Sequence, residues 1–192
     1  MKRWAAIILA AGRSSRFGVE DKLLADLHGK PVLEHVLDAL DGLALYQTIL
    51  VTRPGMPAIP RPGIALVTNP APDAGMGDSL SLGAKALEPC DGVFVVLGDM
   101  PVIDTALLRE MEARLEGHDI VVPEKDGRQG HPVLFGKACF DALKRCSGDR
   151  GARHLLASSD YRMTSCPVAD VTTQFDIDTV EDLSNLRQRE WH

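Results

Sequence analysis

The sequence predicts an α/β protein built on a mostly parallel, twisted sheet with helices on both faces. Short apolar, β-branched runs alternate with segments of helical periodicity, the order that buries parallel strands under helices. The chain has 192 residues, 45% hydrophobic and 25% charged, the ordinary composition of a globular domain of this size. No repeat, low-complexity tract or linker divides it, so residues 1–192 read as one domain.

Each element has its own warrant. Trp4 to Ala10 is an uninterrupted apolar run and reads as a buried first strand. Pro31 to Leu40 reads as a helix, with Pro31 in the first turn and Val32, Leu33, Val36, Leu37 and Leu40 on one face. Thr48–Thr52 and Ile64–Thr68 are short β-branched strands, separated by the proline-rich loop Arg53–Gly63. After the loop Asn69–Gly77, residues Asp78–Leu87 read as a helix, and Gly92–Leu97 as a second buried strand. Thr105–Leu115 is amphipathic, with Asp104 as its N-cap. Ile120–Pro123 and Pro132–Phe135 flank the turn "EKDGRQGH" as a hairpin or an excursion. Helical segments follow at Lys137–Arg145 and Gly151–Ala157, strands at Met163–Val168 and Gln174–Ile177, and a last helix from Val180 to about Arg189.

Charge and cysteine content narrow the function. The formal net charge is −6, so nucleic acid is not an expected partner and any anionic ligand needs a local basic site. Cys90, Cys139, Cys146 and Cys166 are too scattered for a zinc site and read as buried thiols of a reducing compartment. The N-terminal apolar run ends by Ala11, too short for a membrane span and without signal-peptide architecture. The expected location is the cytoplasm.

In a parallel α/β sheet, ligands bind at the carboxyl ends of strands, so the loops there carry the chemistry. "LAAGRSSRFGVEDKLL" (Leu9–Leu24) follows the first strand, yet matches neither G-x-x-x-x-G-K-[ST] nor G-x-G-x-x-G. Gly12 permits close backbone approach to a ligand, and Arg13, Arg16 and Lys22 can neutralise a polyphosphate. Gly98-Asp99-Met100-Pro101 closes the second buried strand. Asp99 there is either a magnesium ligand shared with substrate phosphates or a turn aspartate before proline. Asp176 and Asp178, at i and i+2, share one face of an extended segment; alternatively Asp178 or Thr179 caps the last helix. "NPAPDAGMGDSL" brings Gly75, Gly77, Asp78 and Ser79 to a helix start, as donors for base or ribose or simply as its cap. His131 is a substrate contact or a structural histidine, and Asp149, Arg150 and Arg153 either recognise phosphate or pterin or pair on the surface.

Taken in order, "LAAGRSSRFGVEDKLL", "GKPVLEHV", "NPAPDAGMGDSLSLG", "GDMP", "GHPVLF", "GDRGAR" and "DIDTVEDL" resemble the nucleotidyltransferases of molybdenum-cofactor maturation, the cytidylyltransferases most of all. The resemblance runs from Ile7 to Leu183 and implies a single-domain, Rossmann-like nucleotidyltransferase fold. It implies CTP and Mg²⁺ as ligands, CMP transfer to the terminal phosphate of molybdopterin, and release of pyrophosphate. By the same resemblance Leu9, Ala10, Ala11, Gly12, Arg16 and Lys22 hold the nucleoside triphosphate, and Asp99 and Asp178 the metal. Asn69, Ser79 and Gly98 belong to the nucleotide side; His131, Arg150 and Arg153 are expected on the acceptor side. Guanylyl relatives read L-A-G-G where this chain has Leu9-Ala10-Ala11-Gly12, so the Ala11 methyl is consistent with a smaller pyrimidine.

The resulting expectation is electrostatic catalysis by Lys22, Arg16 and Asp99, since an acceptor phosphate is already an anionic nucleophile. A guanylyltransferase, or a transferase using another phosphate acceptor, is the alternative. A nicotinamide oxidoreductase fits less well because no G-x-G-x-x-G is present, and a cofactor chaperone fits less well because the acids are retained. A recipient molybdoenzyme is an expected transient partner.

Overall fold

The computed structural model describes residues 2–13, 17, 21–57, 59, 61–168 and 176–188. β1 (Trp4–Ala10) is followed by a small hairpin of β2 (Asp26–Leu27) and β3 (Lys30–Pro31), then by α1 (Val32–Asp41) and β4 (Gln47–Thr52). Next come β5 (Ile64–Thr68), α2 (Met76–Lys85), β6 (Gly92–Leu97) and α3 (Thr105–Arg114). The chain continues through β7 (Ile120–Lys125), β8 (Arg128–Gln129), β9 (Val133–Gly136), α4 (Phe140–Leu143), α5 (Arg153–Leu156), β10 (Met163–Pro167) and α6 (Val180–Arg187).

The main sheet runs β10-β7-β9-β6-β1-β4-β5, with β8 hydrogen-bonded to β7. β1 pairs in parallel with β4 and β6, β4 with β5, and β7 with β10. β9 is antiparallel to both of its neighbours, β6 and β7. The expected mostly parallel sheet is therefore present, and the segment after Pro132 is more than a hairpin arm: it slots between two strands that are otherwise parallel.

Period-two alternation along β1 divides the core. Ala6, Ile8 and Ala10 face Leu33, Val36 and Leu37 of α1 and Leu108 and Met111 of α3. Ala5 and Ile7 face Leu80 and Ala84 of α2, with Leu143 and Leu155 on the same side. Both faces of the sheet are thus covered, as parallel strands require. A third cluster joins Leu183 and Leu186 of α6 to Leu27 of β2 and Val32 at the start of α1, with Ile177 fully buried among them.

Several boundaries differ from the expected ones for local reasons. Asp104 does cap α3, accepting from the Ala106 N–H at 2.7 Å. Pro31 is the residue before α1 rather than in its first turn, because it pairs with Asp26 in the hairpin. α2 starts at Met76, two residues early, on a single 3₁₀ turn at Pro72–Ala74. Lys137–Cys139 also forms a 3₁₀ turn, leaving α4 short. Residues 174 and 175 and the end of the last helix at 189 lie outside the described residues, while Asp176 and Ile177 are not in a strand. All four cysteines are free and buried. Among the described residues, no helix is long and apolar enough to cross a membrane.

Candidate active site

The register of β1 against β6 places Leu9 beside Leu97, so their two following loops leave the sheet side by side. Gly98 N–H donates to the Leu9 carbonyl at 3.0 Å. A Cβ on Gly98 would lie 3.1 Å from that oxygen and 3.3 Å from Ala10 Cβ, tighter than ordinary packing allows. Glycine here lets Asp99 approach the loop after β1. Above these strand ends is a cavity of about 340 Å³, within the range of small-ligand sites. Leu9, Ala10, Ala11 and Gly12 line it, together with Lys22, Ser79, Asp99, Asp176 and Asp178.

Lys22 reaches into the acids. Its Nζ lies 2.6 Å from Asp99 Oδ2 and 3.1 Å from Asp178 Oδ1, with only 12% of the lysine side chain exposed. Burial acts to lower the Lys22 pKa, but Asp99 and then Asp178 outweigh it and leave it above the usual lysine value. The expected triphosphate cation is thus already ion-paired with both expected metal-side carboxylates.

The cap of α6 falls to a residue other than Asp178, whose carboxylate faces Lys22. Thr179 caps the helix in a reciprocal box: its hydroxyl accepts from Asp182 N–H at 3.1 Å, and Asp182 accepts from Thr179 N–H at 2.7 Å. Capping therefore falls to Thr179. Ile177 N–H donates to the Asp99 carbonyl at 3.1 Å, stitching this segment to the β6 loop. Asp176 also lines the cavity; desolvation first, then the charges of Asp178 and Asp99, push its carboxyl above the usual aspartate range.

Gly75, the N-cap of α2, lines the cavity, and together with Gly77 in the first turn it also seats a neighbouring segment. Gly77 N–H donates to Gly148 O at 2.7 Å, and Asp78 accepts from Gly148 N–H at 2.9 Å. A Cβ on Gly75, whose φ is +118°, would lie 2.3 Å from Gly148 C, and one on Gly77 2.6 Å from Ser147 C. Both glycines admit the 147–149 segment against the helix start. Asn69 is buried and lies off the cavity lining; its amide donates to Ser79 Oγ at 2.9 Å, and its oxygen accepts from Ala71 N–H at 2.9 Å. Ser79 is the one of the pair that reaches the cavity.

On the expected acceptor side the residues are looser. Arg150 and Arg153 are exposed and do not line the cavity. His131 is half-buried and its Nδ1 has no hydrogen-bond partner. Burial lowers the His131 pKa; a hydrogen bond to the Val95 backbone and the charge of Asp99 oppose this, and Arg153 adds to it. His131 thus feels both Asp99 and Arg153. Arg16 lies outside the described residues. Arg13 is exposed and paired with Asp73 at 2.7 Å.

Arg53 escaped the sequence reading. Its Nη1 donates to the Gly12 carbonyl at 2.8 Å, and its Nη2 pairs with Asp21. The available signal was an arginine placed directly after the apolar strand "TILVT", at the same carboxyl edge as Gly12.

Among the described residues, no three His, Cys, Asp or Glu side chains converge into a self-sufficient metal cage. Magnesium takes one or two carboxylates and completes its octahedron with water and phosphate oxygens, so an Asp99–Asp178 pair of hard oxygen donors suits a divalent cation arriving with a triphosphate. A mostly parallel sheet with β8 and β9 reversed, and an acid-and-lysine cavity over the ends of β1 and β6, match the α/β nucleotidyltransferase fold. Residues 6–163 match the model of the MobA-like NTP transferase domain, and the chain belongs to that family.

Individual relatives and solved structures are similar over much of the chain. The bifunctional protein GlmU of Rhodospirillum rubrum is 33% identical over 141 residues, 71% of this chain and 32% of that protein. The chain thus spans about a third of the length of that relative. A molybdenum cofactor guanylyltransferase of Cupriavidus metallidurans is 29% identical over 187 residues, 92% of this chain and 91% of that one. Rv0371c of Mycobacterium tuberculosis H37Rv superposes with a TM-score of 0.86 at 26% identity, covering 98% of this chain and 99% of that one. Its complex with manganese gives 0.79 at 25% identity, covering 97% and 98%.

Proposed function

We propose that residues 1–192 act as one nucleotidyltransferase domain that transfers a nucleoside monophosphate from an NTP to the terminal phosphate of molybdopterin, releasing pyrophosphate. The observation that carries this reading is the Lys22 ammonium set between Asp99 and Asp178 at the mouth of β1 and β6. A terminal phosphate is an anionic nucleophile at neutral pH, so the obstacle is charge rather than proton removal. One acceptor oxygen forms the new bond to the α-phosphorus while the α–β bridging bond breaks, and pyrophosphate leaves with that electron pair.

In this reading the backbone of Leu9 to Gly12 receives the triphosphate, and the Lys22 ammonium spreads the triphosphate charge and stabilises the leaving pyrophosphate. Asp99 and Asp178 would hold Mg²⁺, which neutralises phosphate charge when bound. Asn69 orients Ser79 toward the nucleotide. His131, with Arg150 and Arg153 outside it, flanks the acceptor side, and the product passes to a recipient molybdoenzyme in the cytoplasm.

The named guanylyltransferase relatives support GTP as the donor. A CTP reading stands on one observation, the Ala11 methyl in the cavity lining. Pyrophosphate release with each of the four NTPs, molybdopterin as acceptor and Mg²⁺ or Mn²⁺ present, separates the two. GTP-dependent release supports the first reading and CTP-dependent release the second. Release with none of the four, or unchanged release in Asp99→Asn, overturns the proposal; that variant is expected to lose roughly a hundredfold or more in turnover.

A further inference from the structure

We infer that Arg53 is a positioning residue that locks together the two stretches of chain carrying the proposed triphosphate contacts, Ala11–Gly12 and Asp21–Lys22. The inference rests on the nucleotide role proposed for the cavity, and it adds a residue outside the cavity lining that acts through Gly12 and Asp21.

The placement follows from register. β4 pairs with β1 through Ala10 and Thr52, so the residue after Thr52 emerges beside Ala11 and Gly12. The Arg53 guanidinium uses both arms of its fork. Nη1 donates to the Gly12 carbonyl at 2.8 Å, and Nη2 pairs with the Asp21 carboxylate. Only 17% of the Arg53 side chain and 15% of Asp21 are exposed, so water competes weakly for their pairing.

Asp21 in turn builds the turn that presents Lys22. Its carboxylate accepts from Leu23 N–H at 3.1 Å, and its carbonyl accepts from Leu24 and Ala25 N–H at 2.9 and 3.0 Å. The order of dependence is therefore Arg53 to Asp21, Asp21 to the turn, and the turn to Lys22, whose ammonium lies 2.6 Å from Asp99. The other arm fixes the carbonyl of Gly12, a residue that lines the cavity. A lysine at position 53 keeps the charge but lacks the planar fork, and cannot satisfy both partners in this geometry.

The test uses Arg53→Lys, Arg53→Ala, Asp21→Asn and the Arg53→Ala/Asp21→Asn double variant of the full chain. Amide hydrogen exchange at Leu24 and Ala25 is read first, without ligand, and so does not depend on the proposed reaction. GTP and CTP dissociation constants and pyrophosphate-release kinetics follow. Arg53→Ala and Asp21→Asn should each speed exchange at the turn. Each should raise the nucleotide KM by roughly tenfold, ~1.4 kcal/mol, with a smaller change in kcat. The double variant should be no worse than Arg53→Ala, and Arg53→Lys should fall between Arg53→Ala and the wild type. If Asp21→Asn is silent while Arg53→Ala weakens binding, the guanidinium meets the triphosphate itself and the inference fails. It also fails if exchange at the turn is unchanged, or if Tm falls while KM stays put. If the wild type releases pyrophosphate with no NTP, the proposed function falls, and the exchange measurement still decides the role of Arg53.

Discussion

Lys22 Nζ lies 2.6 Å from Asp99 Oδ2, and the same ammonium reaches Asp178 at 3.1 Å, so one cation from the first loop holds an acid from mid-chain and another from the start of the last helix. Asp176, on the same cavity, adds a third negative charge against that single lysine. Without the lysine these acids would repel one another.

Lys22→Met removes that cation and tests its two roles together. The raised Lys22 pKa means that its stabilisation is fully present below the ordinary lysine value of 10.5 and is lost only as pH rises through the higher folded value. At pH 7 the variant should therefore lose the whole contribution, about 1–3 kcal/mol by urea denaturation. Nucleotide binding should weaken by at least ~10-fold, the cost of one charge-assisted contact. Wild-type stability together with wild-type nucleotide affinity would remove Lys22 from both roles.

Gly77→Ala tests how closely the first turn of α2 packs against the 147–149 segment. The new methyl would sit 2.6 Å from the backbone of Ser147, which cannot swing aside as a side-chain tip can. The expected loss is about 1–3 kcal/mol from overpacking, measured by chemical denaturation. A neutral substitution would mean that the 147–149 segment does not press on the helix start.

How much of this was legible in the sequence depends on how local each signal is. Alternating apolar residues in β1 and the face of α1 from Val32 to Leu40 report their own surroundings, and Asp104 announces the helix that begins at the next residue. The position of β9 is not local: Val133 pairs with Val95, far away in sequence, and nothing near Pro132 tells that strand to enter between β6 and β7. The site shows the same division. Ala11, Gly12, Lys22 and Asp99 were readable as strand-end chemistry. That Lys22 faces the carboxylates, that Asn69 stands behind Ser79, and that Arg53 grips Gly12 all require knowing which strand ends are neighbours.

Acid should expose His131. Burial lowers its pKa below the ordinary 6.5, so the folded protein takes up its proton less readily than the unfolded chain does. The stability that goes with the neutral ring is complete above 6.5 and is lost as pH falls through 6.5 toward the folded value. Urea denaturation at pH 7.5, 6.5 and 5.5 should show the wild type losing stability more steeply than His131→Gln, whose side chain keeps polar atoms but carries no charge. Parallel profiles would show that the imidazole stays solvated enough to titrate normally.

Ala11 is the position where nucleotide choice can be tested with the least disturbance. It is 4% exposed and lines the cavity on the chain that leaves β1, between Ala10 and the Gly12 carbonyl held by Arg53. Removing its methyl leaves both strand registers and the acid cluster in place, so a change in the ratio of GTP to CTP efficiency reports on the base side of the cavity. One methyl group discriminates by only ~1–3 kcal/mol, or about 10–200-fold in kcat/KM. Ala11→Gly should therefore shift the ratio of kcat/KM for GTP over CTP upward by roughly tenfold, whichever nucleotide the wild type prefers. An unchanged ratio would place the base away from Ala11 and leave the methyl as a packing group alone.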